Sequence, residues 1–411
     1  MLVENNSYPK DPRVRKQSQA LCKAGYQVTV ISPAEPQQKL HERIDGVNVY
    51  RFPASPPASG IFSYVYEYAY SMAAISLLAF WVCIREGFDV IHAANPPDTL
   101  VLIGAFYKCL GKRFVFDHHD LTPEMYYARF PQGGKRWVHK ALLWCERLSC
   151  RLADHVLATN ESHKAIEMHR DGVDEALITV VRNGPELKHA QTIEPDPEIK
   201  TQARTIVVYA GIIGVQDGVD FLLRALRHLV VTLNRTNLLC LVVGDGDALP
   251  DVRRQADTLG VAKCIRFTGW IDDPHRYARY IASADICVDP SPSNPYNDRC
   301  TAIKLMEYMA AAKPIVAFDL PEHRFTAESS ALYARPNDEL ELARNIAELM
   351  DNPQRRQIMG AIGRDRIEQH LAWSYSAARL LDAYCDLWSQ PSRNSFRITT
   401  TSDIPHLRDR V

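Results

Sequence analysis

The amino-acid sequence predicts an α/β protein built of two doubly wound domains, one after the other. Short apolar segments alternate with helical segments in the first half of the 411 residues. A polar stretch interrupts this pattern at 186–204, and the same alternation then restarts. Apolar strands that alternate with helices indicate parallel sheets covered on both faces. Because ligands bind at the carboxyl ends of such strands, two of these domains face to face would make a cleft.

The first domain is predicted over 1–186. Its first helix has clear boundaries, because Asp11 followed by Pro12 is a strong start signal and Gly25 closes the helix. Apolar segments bounded by turn residues are read as strands. They are QVTVIS (27–32), VNVYRF (47–52), DVIHA (89–93), RFVFD (113–117), HVLAT (155–159) and LITVV (177–181).

A linker is predicted over 187–204, where the chain is polar and carries two prolines. The second domain is predicted over 205–370. Beyond it, the amphipathic pattern of residues 373–388 predicts a helix within 371–390, and the polar residues 391–411 are expected to form a flexible tail. The strand candidates of the second domain are TIVVYAG (205–211), LLCLVVGDG (238–246), CIRFTG (264–269), DICVDPS (285–291) and KPIVAF (313–318).

Composition excludes several functional classes. The formal net charge of −1 provides no overall field that would favour nucleic acid. The ten cysteines are scattered without a CxxC pair, which argues against a zinc site and suits a reducing cytosol. The first residues lack the apolar core of a secretory signal, so a cytoplasmic location is predicted.

An uncharged segment, YAYSMAAISLLAFWVCI, complicates that prediction. It covers residues 68–84, just short of the roughly 18 apolar residues expected of a membrane-spanning helix. It also lies between two predicted strands. We favour a helix buried against the sheet; the alternative is a helix that dips into a membrane surface.

The stretch NDRCTAIKLMEYMAAAKPIVAF (297–318) contains a lysine in an unfavourable place. Thr301 is a good N-cap for the helix that follows, which places Lys304 in the first turn. A cation there opposes the helix dipole by roughly 0.3–1 kcal/mol. Lys304 is therefore either a solvated lysine with a small penalty, or a ligand of an anion bound at this helix start. Glu307, one turn further on, could accept the hydroxyls of a ribose or simply pair with Lys304 at the surface.

The segment FDHHDLTPE (116–124) places titratable residues at the carboxyl end of a strand. Adjacent side chains point to opposite sides, so His118 and His119 are poorly arranged to hold one metal, and no metal site is predicted. One histidine is expected to bind substrate and the other to cap or pack. The neighbouring Asp120 and Glu124 are predicted to lie at the same edge. A further strand end, VVGDGD, has only part of a dinucleotide fingerprint, whose third glycine would fall at Leu249.

Taken in order, these segments resemble the bacterial retaining glycosyltransferases of family 4, which have the GT-B fold. The resemblance extends from residue 2 to about 390. The segments that carry it are VENNSYPKDPRVRKQSQALCKAGYQVTVISP, DVIHAANPPDTL, HHDLTPE, RNGPEL, YAG, GVDFLLRAL, LVVGDGD, FTGWID and KLMEYMAAAKPIV. It implies two Rossmann-like domains facing across a cleft, with a C-terminal helix that crosses back to the first domain.

The resemblance also implies ligands and site residues. The second domain would bind a nucleotide-sugar donor and the first a saccharide or lipid-linked acceptor, with no metal or other cofactor. Glu307 matches the second glutamate of the family's Glu-x7-Glu motif, a ribose ligand, and His119 matches a histidine that contacts the donor sugar. Gly211 and Gly244 match positions where the backbone approaches the nucleotide. Arg13, with Asp120 and Glu124, is predicted to lie on the acceptor side.

The chain departs from the family at several positions. Arg299 stands where the first glutamate of the motif is expected, although the adjacent Asp298 could supply a carboxylate if the loop shifted. Ile212 and Asp217 stand where the family has an arginine and a lysine on the donor diphosphate. We expect Lys304 to replace those cations, with Arg299 as its helper and Thr301 at the same helix start. The first strand, MLVEN, is shorter than in the family, so either this start is too late or the strand is trimmed.

The resulting prediction is a retaining glycosyltransferase that transfers a sugar to an acceptor hydroxyl in surface-polysaccharide or lipid-linked saccharide synthesis. The missing phosphate cations leave open a catalytically silent subunit of the same fold that stabilises a partner enzyme. A sugar-nucleotide epimerase of this fold is less favoured. The uncharged segment, together with Arg13, Arg15 and Lys16 on the first helix, predicts peripheral attachment to the inner membrane face.

Overall fold

The computed structural model describes four stretches of the chain: residues 1–54, 61–130, 133–187 and 193–389. The side chains of 61–65 and 389 are not described. The predicted tail, 391–411, and the part of the predicted linker at 188–192 lie outside the described residues.

The first domain contains one sheet with helices on both faces. Among the described residues its strands are β1 Thr29–Ala34, β2 His41–Ile44, β3 Val47–Pro53, β4 Val90–Ala94, β5 Arg113–His118, β6 His155–Ala158 and β7 Ile178–Val180. Its helices are α1 Pro12–Lys23, α2 Ile61–Arg85, α3 Val101–Cys109, α4 Thr122–Arg129, α5 Arg136–Leu152 and α6 Glu161–His169. Leu2 makes single-residue bridges to both Ile31 and Ala93, which joins the β1-β3-β2 group to the β4-β5-β6-β7 group.

The second domain has a parallel sheet in the order β10-β9-β8-β11-β12-β13. Its strands are β8 Thr205–Ala210, β9 Leu238–Val243, β10 Ile265–Phe267, β11 Ile286–Asp289, β12 Ile315–Phe318 and β13 Ala331–Ala334. The short helix α7 Pro197–Lys200 lies within the predicted linker. The described helices after it are α8 Val219–Arg227, α9 Leu249–Thr258, α10 Pro274–Ala282, α11 Ile303–Ala310, α12 Pro321–Ala327, α13 Glu339–Asp351, α14 Pro353–Arg366 and α15 Trp373–Ser389. The strand order reverses direction between β8 and β11, which is where ligands bind in such sheets.

The strands predicted from residue 27 onward are present, and their ends differ from the prediction by up to three residues. The expected first strand, MLVEN, is reduced to single-residue bridges at Leu2. Two further strands were not predicted. β2 is short and charged, and it pairs antiparallel at the sheet edge with β3. Such edge strands lack the apolar run that marks a buried strand. β13 is the edge strand that pairs with β12, and its two middle residues are only half-buried.

The first helix and the last described helix, α1 and α15, meet on the first domain, as the fold class predicts. The carboxylate of Asp11 accepts the backbone N–H groups of Arg13 and Val14, which caps α1. The apolar face of α15 enters the core cluster of the first domain through Trp373, Leu380 and other side chains. Burial of this face fixes α15 against α1 and β7, because an amphipathic helix stabilises the fold only where its apolar stripe is covered.

The uncharged segment forms α2, and only one face of that helix is buried. Ile75, Ala79 and Val82 are at most 3% exposed and pack in the first domain's core, whereas Leu77 is 71% and Ile84 68% exposed. In the apolar stretch Tyr66–Arg85, 22% of the residues are buried. By length and composition this helix could cross a membrane, a test that core helices of soluble proteins also pass. The expectation of a helix packed against the sheet holds for the inner stripe, and is wrong for the outer face.

Candidate active site

The strand-end edge of the second sheet brings two glycine-containing loops, after the neighbouring strands β8 and β9, into direct contact. Gly211 follows β8 with φ +153°, and Gly244 follows β9 with φ +140°. A Cβ at Gly244 would lie 1.9 Å from the carbonyl oxygen of Gly211. Gly244 therefore requires glycine because a side chain would overlap the neighbouring backbone, and Gly211 because its φ is one that other residues rarely adopt. Their predicted approach to a nucleotide stays a prediction.

Thr301 does not cap the helix that follows it, so that expectation is wrong. α11 begins at Ile303, its N-cap position is Ala302, and no side chain caps it. Thr301 instead takes part in the contact between the domains. Its hydroxyl accepts from Asn160 at 3.0 Å and donates to Glu322 at 3.2 Å. Partners from another domain decided its orientation, and sequence spacing does not show them.

Lys304 lies in the first turn of α11, as predicted, but it is not a solvated lysine. Its side chain is 12% exposed, and its ammonium lies 3.3 Å from the carboxylate of Asp217 and 3.8 Å from that of Asp289. Its Nζ also donates to the hydroxyl of Tyr209 at 3.3 Å. Burial alone would lower the pKa of Lys304, but Asp289, Tyr209 and Asp217 together raise it well above its usual value. The lysine therefore stays charged and is neutralised by carboxylates of its own domain.

Glu307 does not pair with Lys304, so the surface ion pair considered for it is absent from the described contacts. Its carboxylate accepts the hydroxyl of Tyr277 at 2.7 Å. Burial raises the pKa of Glu307, while the Tyr277 hydrogen bond and the positive charge of Lys16, from the first domain, oppose that rise. Glu307 also lines a cavity of about 730 Å³ between the two domains' connection and α10. A carboxylate at such a cavity can accept hydroxyl groups from a ligand.

Asp298 and Arg299 lie on a short 3₁₀ turn before α11. Asp298 accepts the hydroxyl of Ser293 at 3.2 Å, and its other oxygen is buried without a partner among the described residues. The guanidinium of Arg299 donates to the carbonyl of Pro295 at 2.7 Å. The expectation that Arg299 helps Lys304 to bind a diphosphate stays a prediction.

The opposite wall of the cleft is the strand-end edge of the first domain, where His119 lies. Its backbone N–H donates to the side-chain oxygen of Asn95 at 2.6 Å. Its Nε2 lies 2.7 Å from Asp117, and its Nδ1 has no hydrogen-bond partner among the residues described. Asn95 also accepts the N–H of Asp120 at 3.1 Å. The amide of Asn95 thus holds the backbone that presents the histidine.

A chain of buried polar groups runs from α15 to His119. The hydroxyl of Tyr384 lies 2.7 Å from Nδ1 of His92, whose Nε2 lies 3.1 Å from Asp117. Burial would raise the pKa of Asp117, but His119 and His92 lower it far below its usual value. Asp117 is therefore ionised and orients both imidazole rings, which is how a carboxylate selects a histidine tautomer.

His118 is the histidine that packs, as one of the pair was expected to do. It is fully buried, with Nδ1 2.9 Å from Glu167. Arg170 binds Glu124 and Glu146 in the same buried cluster. The carboxylate of Glu124 is thus held by an ion pair with Arg170, and Glu124 also lines a cavity of about 630 Å³ together with residues of the second domain. Its acceptor-side role stays a prediction.

Arg13 and Asp120 connect the first domain to the second. Arg13 binds Asp11 at 3.0 Å and lies 3.6 Å from Asp120. The other oxygen of Asp120 accepts the hydroxyl of Tyr296, from the second domain, at 2.9 Å. Lys16 donates to the carbonyl of Gly184 at 2.8 Å. The basic side chains Arg13 and Lys16 therefore bind protein groups near the cleft, and the expectation that they attract a membrane is not supported.

Several residues of this site were not singled out from the sequence. Asn95, Asp117 and Asp289 all lie at or directly after strand ends, and that position was the available signal. Asp217 was noted only because the family has a lysine at its position. Its contact with Lys304 depends on the loop geometry. In the described parts of the chain, no group of three or more His, Cys, Asp or Glu side chains is arranged to hold a metal ion.

Two family models match the chain in succession. The model described as a glycosyl transferase 4-like domain matches residues 11–184, and the model of the glycosyl transferases group 1 matches residues 204–352. A phosphatidyl-myo-inositol mannosyltransferase of Mycobacterium leprae (strain TN) is 27% identical over 363 residues, covering 88% of this chain and 88% of that protein.

Solved structures share the fold at low sequence identity. The sucrose-phosphate synthase of Thermosynechococcus elongatus has a TM-score of 0.75 and 20% identity, covering 94% of this chain and 96% of that one. The Anabaena protein Alr3699/HepE, in complex with UDP-glucose, has a TM-score of 0.71 and 15% identity, covering 94% and 98%. At these identities the likeness establishes the arrangement of the two domains.

Proposed function

Because the chain belongs to the family 4 glycosyltransferases with the GT-B fold, we propose that it transfers a sugar from a nucleotide diphosphate to an acceptor hydroxyl. The transfer retains the configuration of the anomeric carbon. The Anabaena structural neighbour binds UDP-glucose, and the mycobacterial relative is a mannosyltransferase that uses a phosphatidylinositol. These relatives support a nucleotide-sugar donor and a saccharide or lipid-linked acceptor for this chain.

One observation carries the proposal. The strand-end edges of the two sheets face each other, and the Asp120–Tyr296 hydrogen bond joins them. Asp120 follows His119 directly in the chain, and Tyr296 lies on the loop between β11 and the helix that carries Lys304 and Glu307. A reaction between two bound substrates requires such a closed site, because holding the reactants together removes most of the entropic barrier.

The residues of the two edges have distinct roles in this proposal. The bond from the anomeric carbon to the donor phosphate oxygen breaks, and its electron pair leaves with the nucleoside diphosphate. The acceptor oxygen bonds to that carbon, and its hydroxyl proton passes to the departing phosphate oxygen. Negative charge develops on the diphosphate, where Lys304 and the N–H groups at the start of α11 can stabilise it. Glu307 accepts the ribose hydroxyls, and His119 contacts the transferred sugar. No step requires a metal ion.

The experiment is a panel of UDP-, GDP- and ADP-sugars, each with saccharide and lipid-linked acceptors. A new glycosidic product, with its anomeric configuration read by NMR, supports the proposal. Inversion of configuration contradicts the retaining mechanism. Donor binding without any turnover, together with co-purification of an active partner, supports the silent-subunit alternative instead. Absence of both binding and turnover across the panel rejects the donor class.

We also place the site of action at a lipid surface, on the basis of exposed helix faces. α3 exposes Leu102, Phe106 and Leu110 by 55–58%, beside the exposed outer face of α2. On α5, Trp137 is 67% and Trp144 62% exposed. Exposed apolar patches of this kind mark interaction sites, and indole rings favour the membrane interface. Arg136, Lys140 and Arg147 of α5 are exposed and supply positive charge for anionic lipid. They take the role that was predicted for the basic residues of the first helix.

Vesicle flotation tests this location. The protein should float with phosphatidylglycerol vesicles at low salt and less with phosphatidylcholine vesicles. Replacing both tryptophans of α5 with serine should abolish flotation without affecting transfer to a soluble acceptor. Ile358→Ser is the matched control, since Ile358 is 61% exposed on the second domain. A wild-type protein that stays in the supernatant contradicts peripheral attachment.

A further inference from the structure

The carboxylate of Asp217 lies at the reversal point of the second sheet, between the loops that follow β8 and β11. It ends a 3₁₀ turn, Val215–Asp217. The next residue, Gly218, has φ +70°, and a Cβ there would lie 2.2 Å from the carbonyl oxygen of Pro290. The close packing of Gly218 fixes the backbone of Asp217 against the β11 loop. The position of the carboxylate is thus determined by the fold of the strand ends.

The two partners of Asp217 are groups of the kind that bind phosphate. One oxygen accepts the backbone N–H of Gly214 at 3.1 Å, and the other lies 3.3 Å from the ammonium of Lys304. A backbone N–H in a strand-end loop, combined with a nearby lysine, is a common phosphate-binding arrangement. In this structure both groups bind a carboxylate of the chain itself.

The charge at this point is negative rather than positive. The Lys304 ammonium also lies 3.8 Å from Asp289. Among the described residues, no other lysine or arginine forms an ion pair with either aspartate. One ammonium therefore faces two carboxylates, and a phosphate that approaches Lys304 meets like charge. Like charges placed together in a binding site oppose binding strongly.

The two aspartates differ in their freedom to move. Asp289 is fully buried at the end of β11, where the backbone N–H and the hydroxyl of Ser291 both donate to it. His323 lies 3.5 Å from its other oxygen. The side chain of Asp217 is 18% exposed and sits on a loop. A rotation about its side-chain bonds would release Lys304 without breaking the sheet.

We propose that Asp217 is an internal competitor for the phosphates of the donor and of the nucleoside diphosphate product. Donor binding moves the Asp217 carboxylate away from Lys304 and Gly214, and the phosphates take its place. When the product leaves, Asp217 binds Lys304 again. Asp217 thereby lowers the affinity for the diphosphate and favours its release. The inference rests on the proposed nucleotide-sugar donor. It states that Asp217 sets the affinity of the protein for that donor and for the diphosphate product.

The test is titration calorimetry of Asp217→Asn with UDP, GDP and ADP. An asparagine oxygen can still accept the N–H of Gly214, so the loop is preserved while the charge is removed. We expect the nucleoside diphosphate that the wild type binds to be bound about tenfold more tightly by the variant. Product inhibition of transfer should tighten by the same factor. Asp220→Asn is the matched control, because Asp220 is exposed on α8 and pairs with Arg224; its affinity should equal that of the wild type.

A double-mutant cycle identifies the cation involved. In a Lys304→Met background, Asp217→Asn should change the affinity by less than about threefold, because no lysine remains to be released. An equal gain in both backgrounds contradicts competition for Lys304. Asp217→Ser, which keeps a shorter acceptor, should show the same direction of change as Asp217→Asn.

The outcomes separate this inference from the proposed function. If the wild type binds a nucleoside diphosphate and Asp217→Asn binds it no more tightly, the inference is wrong and the donor class stands. If neither protein binds UDP, GDP or ADP and no sugar nucleotide is turned over, the donor class is wrong, and the inference is rejected with it.

Discussion

The two edges that face each other across the cleft hold their polar groups in different ways. In the first domain, His119 is held by Asn95 and Asp117, and Asp117 is supported by His92. In the second domain, the ammonium of Lys304 lies between two carboxylates. The first edge is organised before substrate arrives. The second has its charge compensated internally, so binding of an anion there requires a rearrangement.

The largest effect that tests this comparison is expected at the preorganised edge. His119→Ala should lower kcat by about 100-fold or more, since loss of one fixed group at the reacting centre has effects of that size. Nucleotide affinity should change little, because the donor phosphates and ribose lie at the other edge. Steady-state kinetics and calorimetry measure the two separately. His118→Ala is a poor control, since His118 is part of a buried ion cluster; an unchanged rate in His119→Ala would itself refute the assignment.

Lys304→Met tests the compensated edge. Removing one partner of a buried ion pair leaves uncompensated carboxylates, so the free energy of unfolding should fall by about 3 kcal/mol. Affinity for nucleoside diphosphate should fall by roughly tenfold to more than a hundredfold, while nucleoside affinity stays nearly unchanged. Urea unfolding and calorimetry give the two numbers. A variant as stable as the wild type would mean that the ion pairs with Asp217 and Asp289 do not form in solution.

Glu307→Ala sharpens the comparison by testing the ribose end of the second edge. Loss of the hydrogen bonds that this carboxyl group accepts should weaken nucleotide-sugar binding by roughly 1.5–3 kcal/mol. The parent should prefer a ribose donor to a 2′-deoxyribose donor, and the variant should lose most of that preference. Tyr277→Phe, which removes only the partner hydroxyl, should have a smaller effect. A variant that still discriminates as the parent does would exclude Glu307 as the ribose ligand.

The smallest expected effect concerns the support beneath the first edge. Asp98 accepts the amide of Asn95 at 2.8 Å, and burial raises its pKa to about 6. The folded state therefore binds this proton more tightly than the unfolded state. Stability from this group is greatest below the unfolded pKa and decreases as the pH rises through about 6, by roughly 2–3 kcal/mol at most.

Asp98→Asn should remove that part of the pH dependence. Urea unfolding at pH 5 and pH 7.5 gives the free energy of unfolding of the variant and of the wild type. The contributions of the other titrating groups cancel when the two proteins are compared. Asp251→Asn is the matched control, because Asp251 is exposed on α9. An identical pH slope in Asp98→Asn and the wild type would mean that Asp98 is ionised in the folded protein.

The fold was predictable because its signals are local. Alternating apolar strands and helices, the Asp11–Pro12 start of α1 and the amphipathic pattern of α15 each depend on neighbouring residues. The edge strands of the two sheets were harder to predict, because β2 has no apolar run and the middle residues of β13 are only half-buried. The outer face of α2 was misjudged because an uncharged sequence does not show which of its sides is covered.

The sequence by itself determined the two α/β domains, the strand ends at which the candidate residues lie, and the position of Lys304 in the first turn of a helix. Only the tertiary structure decided the partners of those residues. Thr301 binds groups from the other domain, Glu124 is held by Arg170, and Lys304 is compensated by Asp217. The physical reason is that propensity and periodicity act over a few residues. The state of a charge depends on groups brought close in space, and these pairs are 46 to 141 residues apart in the chain.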